Sequence, residues 1–201
     1  MITAQDKILH VANKLGLTSL KDMQASTGAV YDVDTDLSGQ IFNNAARHQQ
    51  PSITNITENQ FEVNEALLVE TIAFYVKNTD GDALNFQSIY GSNAVILFDL
   101  VIGNKRVMKD TPVFAAGCPY TFANVGNISD TIGATVAQIF KPRHQIYMEG
   151  VGILIPPQVQ WSVNYTIFDV VAGAVIAPTA NTALGCYLYG TKVLLNFNTS
   201  I

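Results

Sequence analysis

A regular alternation of apolar and polar residues constrains this chain to a β fold more strongly than any other feature of its sequence. From residue 159 to residue 167, every odd position is apolar and every even position is polar. The apolar positions are Val159, Trp161, Val163, Tyr165 and Ile167. Successive side chains of an extended strand point to opposite faces of a sheet, so this period predicts a strand with one buried face.

Similar strand patterns, separated by turn-forming residues, recur over residues 61–201. Asp80-Gly81, Gly103-Asn104 and Pro156-Pro157 stand between apolar runs, as turns do in antiparallel sheets. The pattern contains about eight strands and no helices that alternate with them, which is typical of a sandwich or a barrel. The predicted fold class is therefore all-β, with an antiparallel β-sandwich of about eight strands.

Residues 1–60 differ from the rest of the chain and begin with a helical pattern. Thr3 and Asp6 have the spacing of a capping box, in which each side chain accepts a hydrogen bond from the backbone of the other residue. Apolar residues follow at intervals of three and four, and Gly16 is a typical helix end. The sequence therefore predicts a short amphipathic helix between Thr3 and Gly16.

The remainder of the first 60 residues lacks a clear period. Ser19 and Gly28 have the positions of the cap and the end of a second short helix. Residues 29–60 are polar and contain few apolar anchors, so we predict an extended arm there. We therefore divide the chain into an N-terminal helical segment with an extended arm (1–60) and a β-sandwich domain (61–201).

The chain contains few charged residues, which excludes several classes of protein. Charged residues make up 13% and hydrophobic residues 48% of its 201 residues, whereas about 25% of an average soluble domain is charged. This composition excludes a disordered chain and a coiled coil. No apolar run approaches the ~20 residues of a membrane-spanning helix, and no basic region followed by an apolar run indicates a secretory signal peptide. We therefore expect no membrane span and no signal peptide.

Acidic residues outnumber basic residues in the chain. Sixteen Asp and Glu oppose eleven Lys and Arg, for a formal net charge of −5. The largest local basic cluster comprises Lys105, Arg106 and Lys109. Nucleic-acid binding depends on clustered Lys and Arg that displace counterions from phosphates. We therefore expect no direct binding of nucleic acid.

The sequence contains no recognisable motif for catalysis, for a metal or for a cofactor. The three histidines, His10, His48 and His144, are far apart and have no metal-ligand spacing. Gly-x-Ser-x-Gly, a phosphate-binding glycine loop and Cys-x-x-Cys are all absent. We therefore predict that the protein is not an enzyme and that it has no catalytic, cofactor-binding or metal-binding residues.

Three aspartates at alternate positions are the part of the sequence that most resembles a metal-binding motif. Asp32, Asp34 and Asp36 are spaced like the first ligands of a calcium loop. Such a loop also requires a glycine at its sixth position and a glutamate at its twelfth, and both are missing here. We therefore predict no calcium site at these residues.

Aromatic side chains provide the candidates for a binding surface. Trp161, Tyr165, Tyr187 and Tyr189 occupy alternate positions of predicted strands, a pattern that is mainly typical of core residues. Exposed aromatic rings would instead form a surface that stacks on a sugar or contacts a receptor. These four residues are therefore the candidate site of an alternative hypothesis, a carbohydrate- or receptor-binding β-sandwich.

Four passages of the strand-rich region carry a resemblance to a known group of proteins. They are residues 61–72, 96–105, 152–157 and the closing strand at 184–197. Together they resemble virion proteins with a single jelly roll, particularly those of bacterial viruses. The likeness covers residues 61–201 as a pattern of strands and turns.

The resemblance implies a narrower fold and function than the residues alone do. It implies a jelly-roll β-sandwich after a polar N-terminal arm, and a structural protein that self-assembles or decorates a viral capsid. Its partners would be further copies of itself or other capsid proteins. It would be made in the host cytoplasm and located in the virion. The alternative is a carbohydrate- or receptor-binding module, such as part of a fibre or attachment protein.

The N-terminal arm departs from one feature of such proteins. Capsid proteins that touch their genome often have a basic arm, whereas residues 1–60 hold four basic and six acidic residues. The resemblance therefore implies an arm that contacts neighbouring subunits, or an auxiliary capsid protein that does not contact the genome. On this interpretation, a chain without residues 1–60 is expected to fold as a sandwich that no longer assembles.

Overall fold

Two antiparallel β-sheets make up most of the described chain. The computed structural model describes residues 3–17, 23–43, 53–78, 93–112, 152–178 and 182–195. In chain order the elements are α1 (Ala4–Leu15), β1 (Gln24–Asp34), β2 (Gln40–Ile41), β3 (Glu65–Asn78), β4 (Ala94–Ile102), β5 (Lys105–Pro112), β6 (Ile153–Ile155), β7 (Trp161–Asp169), β8 (Ala174–Ile176) and β9 (Thr182–Leu194). The predicted all-β class is confirmed for this part of the chain.

The strands pair into two sheets, which we name sheet A and sheet B. Sheet A has the order β1-β9-β3-β6, and sheet B has the order β2-β7-β4-β5, with the short strand β8 also paired to β7. All pairings between these described strands are antiparallel. Most strands that follow one another in the chain lie in different sheets, so distant parts of the sequence become neighbours.

The main core lies between the two sheets and follows the alternation of the sequence. The buried positions of β7 are Trp161, Val163, Tyr165 and Ile167. The ring centroids of Trp161 lie 4.5 Å from those of Phe42 and 5.8 Å from those of Phe61. Burying a large apolar side chain contributes about 1.5–3 kcal/mol, so this aromatic group is a major stabilising element. The predicted half-buried strand is therefore confirmed.

Helix α1 has the caps that its sequence predicts. The Thr3 hydroxyl accepts a hydrogen bond from the Asp6 backbone N–H at 3.2 Å, and the Asp6 carboxylate accepts one from the Thr3 backbone N–H at 2.8 Å. The hydrogen bond from the Thr3 backbone lowers the pKa of Asp6. Gly16 ends the helix at φ 69°, a left-handed conformation that glycine adopts without steric strain. The predicted helix is confirmed.

Helix α1 covers one end of the outer face of sheet A. Val11 lies in a small apolar cluster with Leu68, on the side of the sheet opposite the main core. Lys7 Nζ lies 2.7 Å from both carboxylate oxygens of Glu70, and the Thr191 hydroxyl donates a hydrogen bond to the same carboxylate at 2.6 Å. Apolar packing and one ion pair therefore hold the helix against the sheet.

Residues 24–41 correct the sequence-based description of the N-terminal segment. The second short helix that was to end at Gly28 is wrong, because strand β1 occupies these residues and pairs with β9 along its full length. The described part of the predicted arm also enters sheet B, where β2 pairs with β7. Backbone pairing with a neighbouring strand overrides a weak local helix pattern. Residues 24–34 and 40–41 are therefore part of the sheets.

A β-bulge interrupts the pairing of β3 with β9 in the middle of sheet A. The register shifts between Val69 and Thr71, which leaves Glu70 as the extra residue. Gly190 faces this bulge, and a Cβ atom there would overlap the carbonyl oxygen of Leu68. Glycine is therefore required where the bulged strand approaches β9. Strand β9 passes through this position without a break.

Candidate functional site

The two aromatic candidates on β7 are buried and cannot form a surface site. Trp161 is 2% exposed and packs on the rings of Phe42 and Phe61. Tyr165 is 6% exposed, and its hydroxyl donates a hydrogen bond to the Asp34 carboxylate at 2.9 Å. Neither ring is accessible to a sugar or a receptor. The prediction that they line a binding surface is therefore corrected, and both are core residues.

The two aromatic candidates on β9 face the solvent. Tyr187 and Tyr189 are 42% and 45% exposed on the outer face of sheet A. Tyr31 on β1 lies opposite Tyr187, with the two ring centroids 5.5 Å apart. We name Tyr31, Tyr187 and Tyr189 the tyrosine face. The structure thus brings two of the four candidates together, adds Tyr31 to them, and separates them from the pair on β7.

A buried carboxylate holds the turn between β1 and β2. Asp34 is fully buried and accepts hydrogen bonds from the backbone N–H groups of Ser38 at 3.2 Å and Gly39 at 2.7 Å. Asp32, which is also buried, accepts a hydrogen bond from the Phe42 backbone N–H at 2.6 Å. The first two of the alternating aspartates therefore organise the backbone. Within the described ranges, no group of three His, Cys, Asp or Glu residues is arranged to hold a metal ion.

A buried thiol lies beside these carboxylates. Cys186 on β9 is opposite Asp32 on β1, and it is a free cysteine. Burial raises the pKa of the Cys186 thiol well above its usual value, and the charge of Asp32 raises it further. A thiol acts as a nucleophile in its deprotonated form. Cys186 is therefore a core residue that stays protonated near neutral pH.

Replacing Asp34 with asparagine is expected to change how folding stability depends on pH. Burial raises the pKa of Asp34 above its usual value, and a hydrogen bond with the Asp36 side chain raises it further. A raised folded-state pKa means that the protonated carboxyl stabilises the fold, and this contribution is lost as the pH rises above about 4 through the folded-state pKa. The free energy of unfolding of Asp34→Asn, minus that of the wild type, should therefore increase with pH. Urea unfolding at a series of pH values measures this difference, and a constant difference would contradict the expectation.

A cleft lies beside β1 at one edge of sheet A. Its volume is about 370 Å³, and its apolar lining includes Val30, Ile56 and Phe61. Glu65 and Lys192 also line it, and their side chains form an ion pair at 2.9 Å. Small-molecule sites commonly occupy about 300–1,000 Å³ and contain a few convergent polar groups. Glu58 and Glu62 line the cleft as well, and no bound group or buried unpaired side chain within the described residues identifies a ligand for it.

The β7–β8 hairpin presents apolar side chains to the solvent. Among the described large apolar side chains, Val171 and Val175 are the two most exposed, and Val170 is exposed beside them. The Asp169 carboxylate accepts hydrogen bonds from the backbone N–H groups of Val171 at 2.8 Å and Ala172 at 2.9 Å. The hairpin therefore has an ordered turn. Exposed apolar patches of this kind generally mark association surfaces.

Sequence reasoning did not single out these valines or Tyr31. One signal was present, because residues 170–191 contain no charged residue. A charge-free stretch is compatible with a buried strand as well as with an exposed contact surface. The alternation of β9, which has apolar residues on both faces, also could not show whether Tyr187 and Tyr189 face the core. Burial in the folded structure was needed to separate these cases.

No protein-family model, curated protein or solved structure matches this chain. Across the ranges that the structure describes, no helix is both long enough and apolar enough to cross a membrane. The strand pairing and the exposed surfaces are therefore the features from which a function can be inferred.

Proposed function

We propose that this protein is a structural virion protein with a jelly-roll fold, which self-assembles or decorates a capsid. The order in which its strands pair supports the jelly-roll part of this proposal. When the short strand β8 is set aside, β1 pairs with β9, β2 with β7, β3 with β6 and β4 with β5. Among the described strands, the first thus pairs with the last, the second with the last but one, and so on inwards. A jelly roll is a long hairpin of four such pairs, rolled into two sheets.

The exposed surface supports a role in assembly. Jelly rolls occur in viral capsids and also in lectins and cupins, so the fold by itself does not select a function. The β7–β8 hairpin exposes three valines in a stretch without charge. The free energy falls when a partner covers apolar surface of this kind and removes it from water. Further copies of the chain or other capsid proteins are the partners, and the virion is the location.

The purified full-length protein is expected to self-associate. Its apparent mass should rise above the 21.8 kDa of one chain as its concentration increases, because association buries exposed apolar surface. Size-exclusion chromatography with light scattering measures this mass, and electron microscopy of the largest species shows whether closed particles form. A strictly monomeric protein at the highest attainable concentration would contradict self-assembly, and a decorating role would then require binding to a preformed capsid.

The tyrosine face favours one alternative function, a carbohydrate- or receptor-binding module. Its exposed rings could stack on a sugar, since tyrosine combines an apolar ring with a polar hydroxyl. This alternative predicts that the protein binds glycans on an array and that Tyr187→Ala with Tyr189→Ala abolishes the binding. Only two of the four residues predicted for this alternative lie at the surface, because Trp161 and Tyr165 are buried. Assembly is therefore the function we prefer.

A further inference from the structure

Strand β1 forms an edge of sheet A. In the described strand order, β1 pairs with β9 on one side and has no paired strand on the other. Asn55 contacts backbone groups of Ala29 and Tyr31 on this second side. In an antiparallel strand, the backbone groups of every second residue point to the same side. The groups of Ala25 and Thr27 therefore point to the edge as well.

The side chain of Asn55 closes the middle of this edge. Its Oδ1 accepts a hydrogen bond from the Tyr31 backbone N–H at 2.7 Å, and its Nδ2 donates one to the Ala29 carbonyl oxygen at 2.8 Å. The Asn55 backbone N–H donates a further hydrogen bond to the Tyr31 carbonyl oxygen at 3.2 Å. A single residue therefore occupies three backbone groups that a neighbouring strand would otherwise bind.

The two neighbours of Asn55 in the chain hold it beside the edge. Thr54 is 1% exposed, and its hydroxyl donates a hydrogen bond to the Tyr31 carbonyl oxygen at 3.0 Å. Ile56 is buried in the main core. Because both flanking side chains are buried, the backbone of Asn55 is already ordered, and its side chain needs little further ordering to bind the edge.

The rest of this edge lacks the features that usually protect an edge strand. Such strands commonly carry a lysine, a proline or a bulge, or are very short. Residues 24–31 contain no charged residue and no proline, and β1 pairs with β9 without a shift of register. Within the described parts of the chain, no hydrogen bond reaches the edge-facing groups of Ala25 or Thr27. Asn55 therefore ends the open stretch at Ala29.

We propose that Asn55 is an edge cap, which keeps sheet A from pairing strand to strand with another chain. An unpaired edge is a template on which a strand of another chain can add, and a very short edge is a poor template. Asn55 shortens the open edge of β1 in this sense. The inference does not depend on the proposed function, because assembly through another surface would leave the edge of β1 unpaired.

Hydrogen–deuterium exchange of the wild-type full-length chain provides the first test. After correction for intrinsic exchange rates, the Tyr31 amide is expected to exchange at least about tenfold more slowly than the Thr27 amide. Asn55 binds the N–H of Tyr31, whereas none of the described residues binds that of Thr27. Equal rates for the two amides would overturn the edge cap.

The substitution Asn55→Ala provides the second test, because it frees the Ala29 carbonyl oxygen and the Tyr31 N–H. Association is expected to become about tenfold stronger or more than that of the wild type, since each edge gains two groups that can form hydrogen bonds with another chain. Asn59→Ala is the matched control, because the Asn59 side chain binds that of Asn43. Sedimentation velocity measures association, infrared spectroscopy detects intermolecular strand pairing, and circular dichroism checks folding.

The substitution Thr27→Lys tests whether the added association uses the edge of β1. Combined with Asn55→Ala, it is expected to return association to the wild-type level, because charged residues, especially lysine, block an edge strand. Alone, Thr27→Lys should associate like the wild type. Any assembly through another surface therefore persists in this variant and is distinguishable from edge pairing.

Each contrary result counts against the edge cap. If Asn55→Ala folds and associates like the wild type, or if Asn59→Ala gains association equally, the cap is overturned. If Thr27→Lys does not reverse the gain, the association does not use this edge and the inference fails. If Asn55→Ala does not fold, Asn55→Ser replaces it, because one hydroxyl is too short to reach both backbone groups. A wild type that remains monomeric contradicts the proposed self-assembly but leaves the edge cap standing.

Discussion

A chain that begins at residue 61 is expected to be unfolded. It lacks strand β1, which pairs with β9 along all of its 11 residues. It also lacks Ile41 and Phe42, which are fully buried in the main core. Removing one such side chain costs about 2–5 kcal/mol, and a whole domain has a stability of about 5–15 kcal/mol. The loss of both side chains and an entire strand therefore exceeds the stability that is available.

Circular dichroism and proton NMR of the fragment 61–201 measure this outcome. The control is a chain that begins at residue 18, which lacks α1 but keeps β1. It should unfold cooperatively at a lower temperature than the full chain, because α1 covers only one end of the outer face of sheet A. A fragment 61–201 that unfolds cooperatively would contradict the expectation. It would also restore the view of residues 1–60 as an arm outside the folded domain.

Gly190→Ala is expected to destabilise the protein by about 3 kcal/mol or more, at the upper end of overpacking costs. The added Cβ atom would overlap the carbonyl oxygen of Leu68 and lie 2.9 Å from the backbone nitrogen of Glu70. Both atoms belong to the backbone of β3, which is an interior strand of sheet A. No side-chain rotation can relieve the overlap, so the paired strands must move apart.

Gly173→Ala is the matched control for this substitution. Gly173 has a φ of 65°, but no atom lies within 4 Å of the position that its Cβ would occupy. The cost there is limited to the strain of a left-handed residue, about 1–2 kcal/mol. Urea unfolding of both variants and the wild type measures the difference. Equal losses of stability in the two variants would contradict the role of Gly190 at the bulge.

The elements that were predicted correctly from the sequence are those that are determined by residues close together in the chain. The caps of α1 depend on Thr3, Asp6 and Gly16, which lie within or next to the helix that they delimit. Strand β7 was recognisable because its alternation spans the whole element. In both cases the interacting groups are a few residues apart, and the pattern is complete within a short window of sequence.

Strand β1 was not predicted because the residues that stabilise it lie far from it in the sequence. Its sequence contains the buried aspartates Asp32 and Asp34, which no apolar pattern would place inside a protein. These carboxylates are tolerated because backbone N–H groups and the Tyr165 hydroxyl donate hydrogen bonds to them. Asp34 and Tyr165 are 131 residues apart in the chain. No window of local sequence contains both partners.

The candidate site was predictable only in part for a related reason. A period of two separates the side chains of a strand into two sets, but it does not say which set faces the core when both contain apolar residues. Tyr187 on β9 alternates with Cys186 and Leu188, so the period did not place its ring, although Tyr187 is exposed and the other two residues are buried.

The sequence by itself determined the all-β class, the helix with its caps, the buried face of β7 and the scarcity of charge. The tertiary structure alone decided that β1 belongs to sheet A and which aromatic residues of β9 are exposed. The physical reason is the range of the interactions. Capping and alternation act over a few residues, whereas strand pairing joins residues from opposite ends of the chain, as β1 and β9 do here.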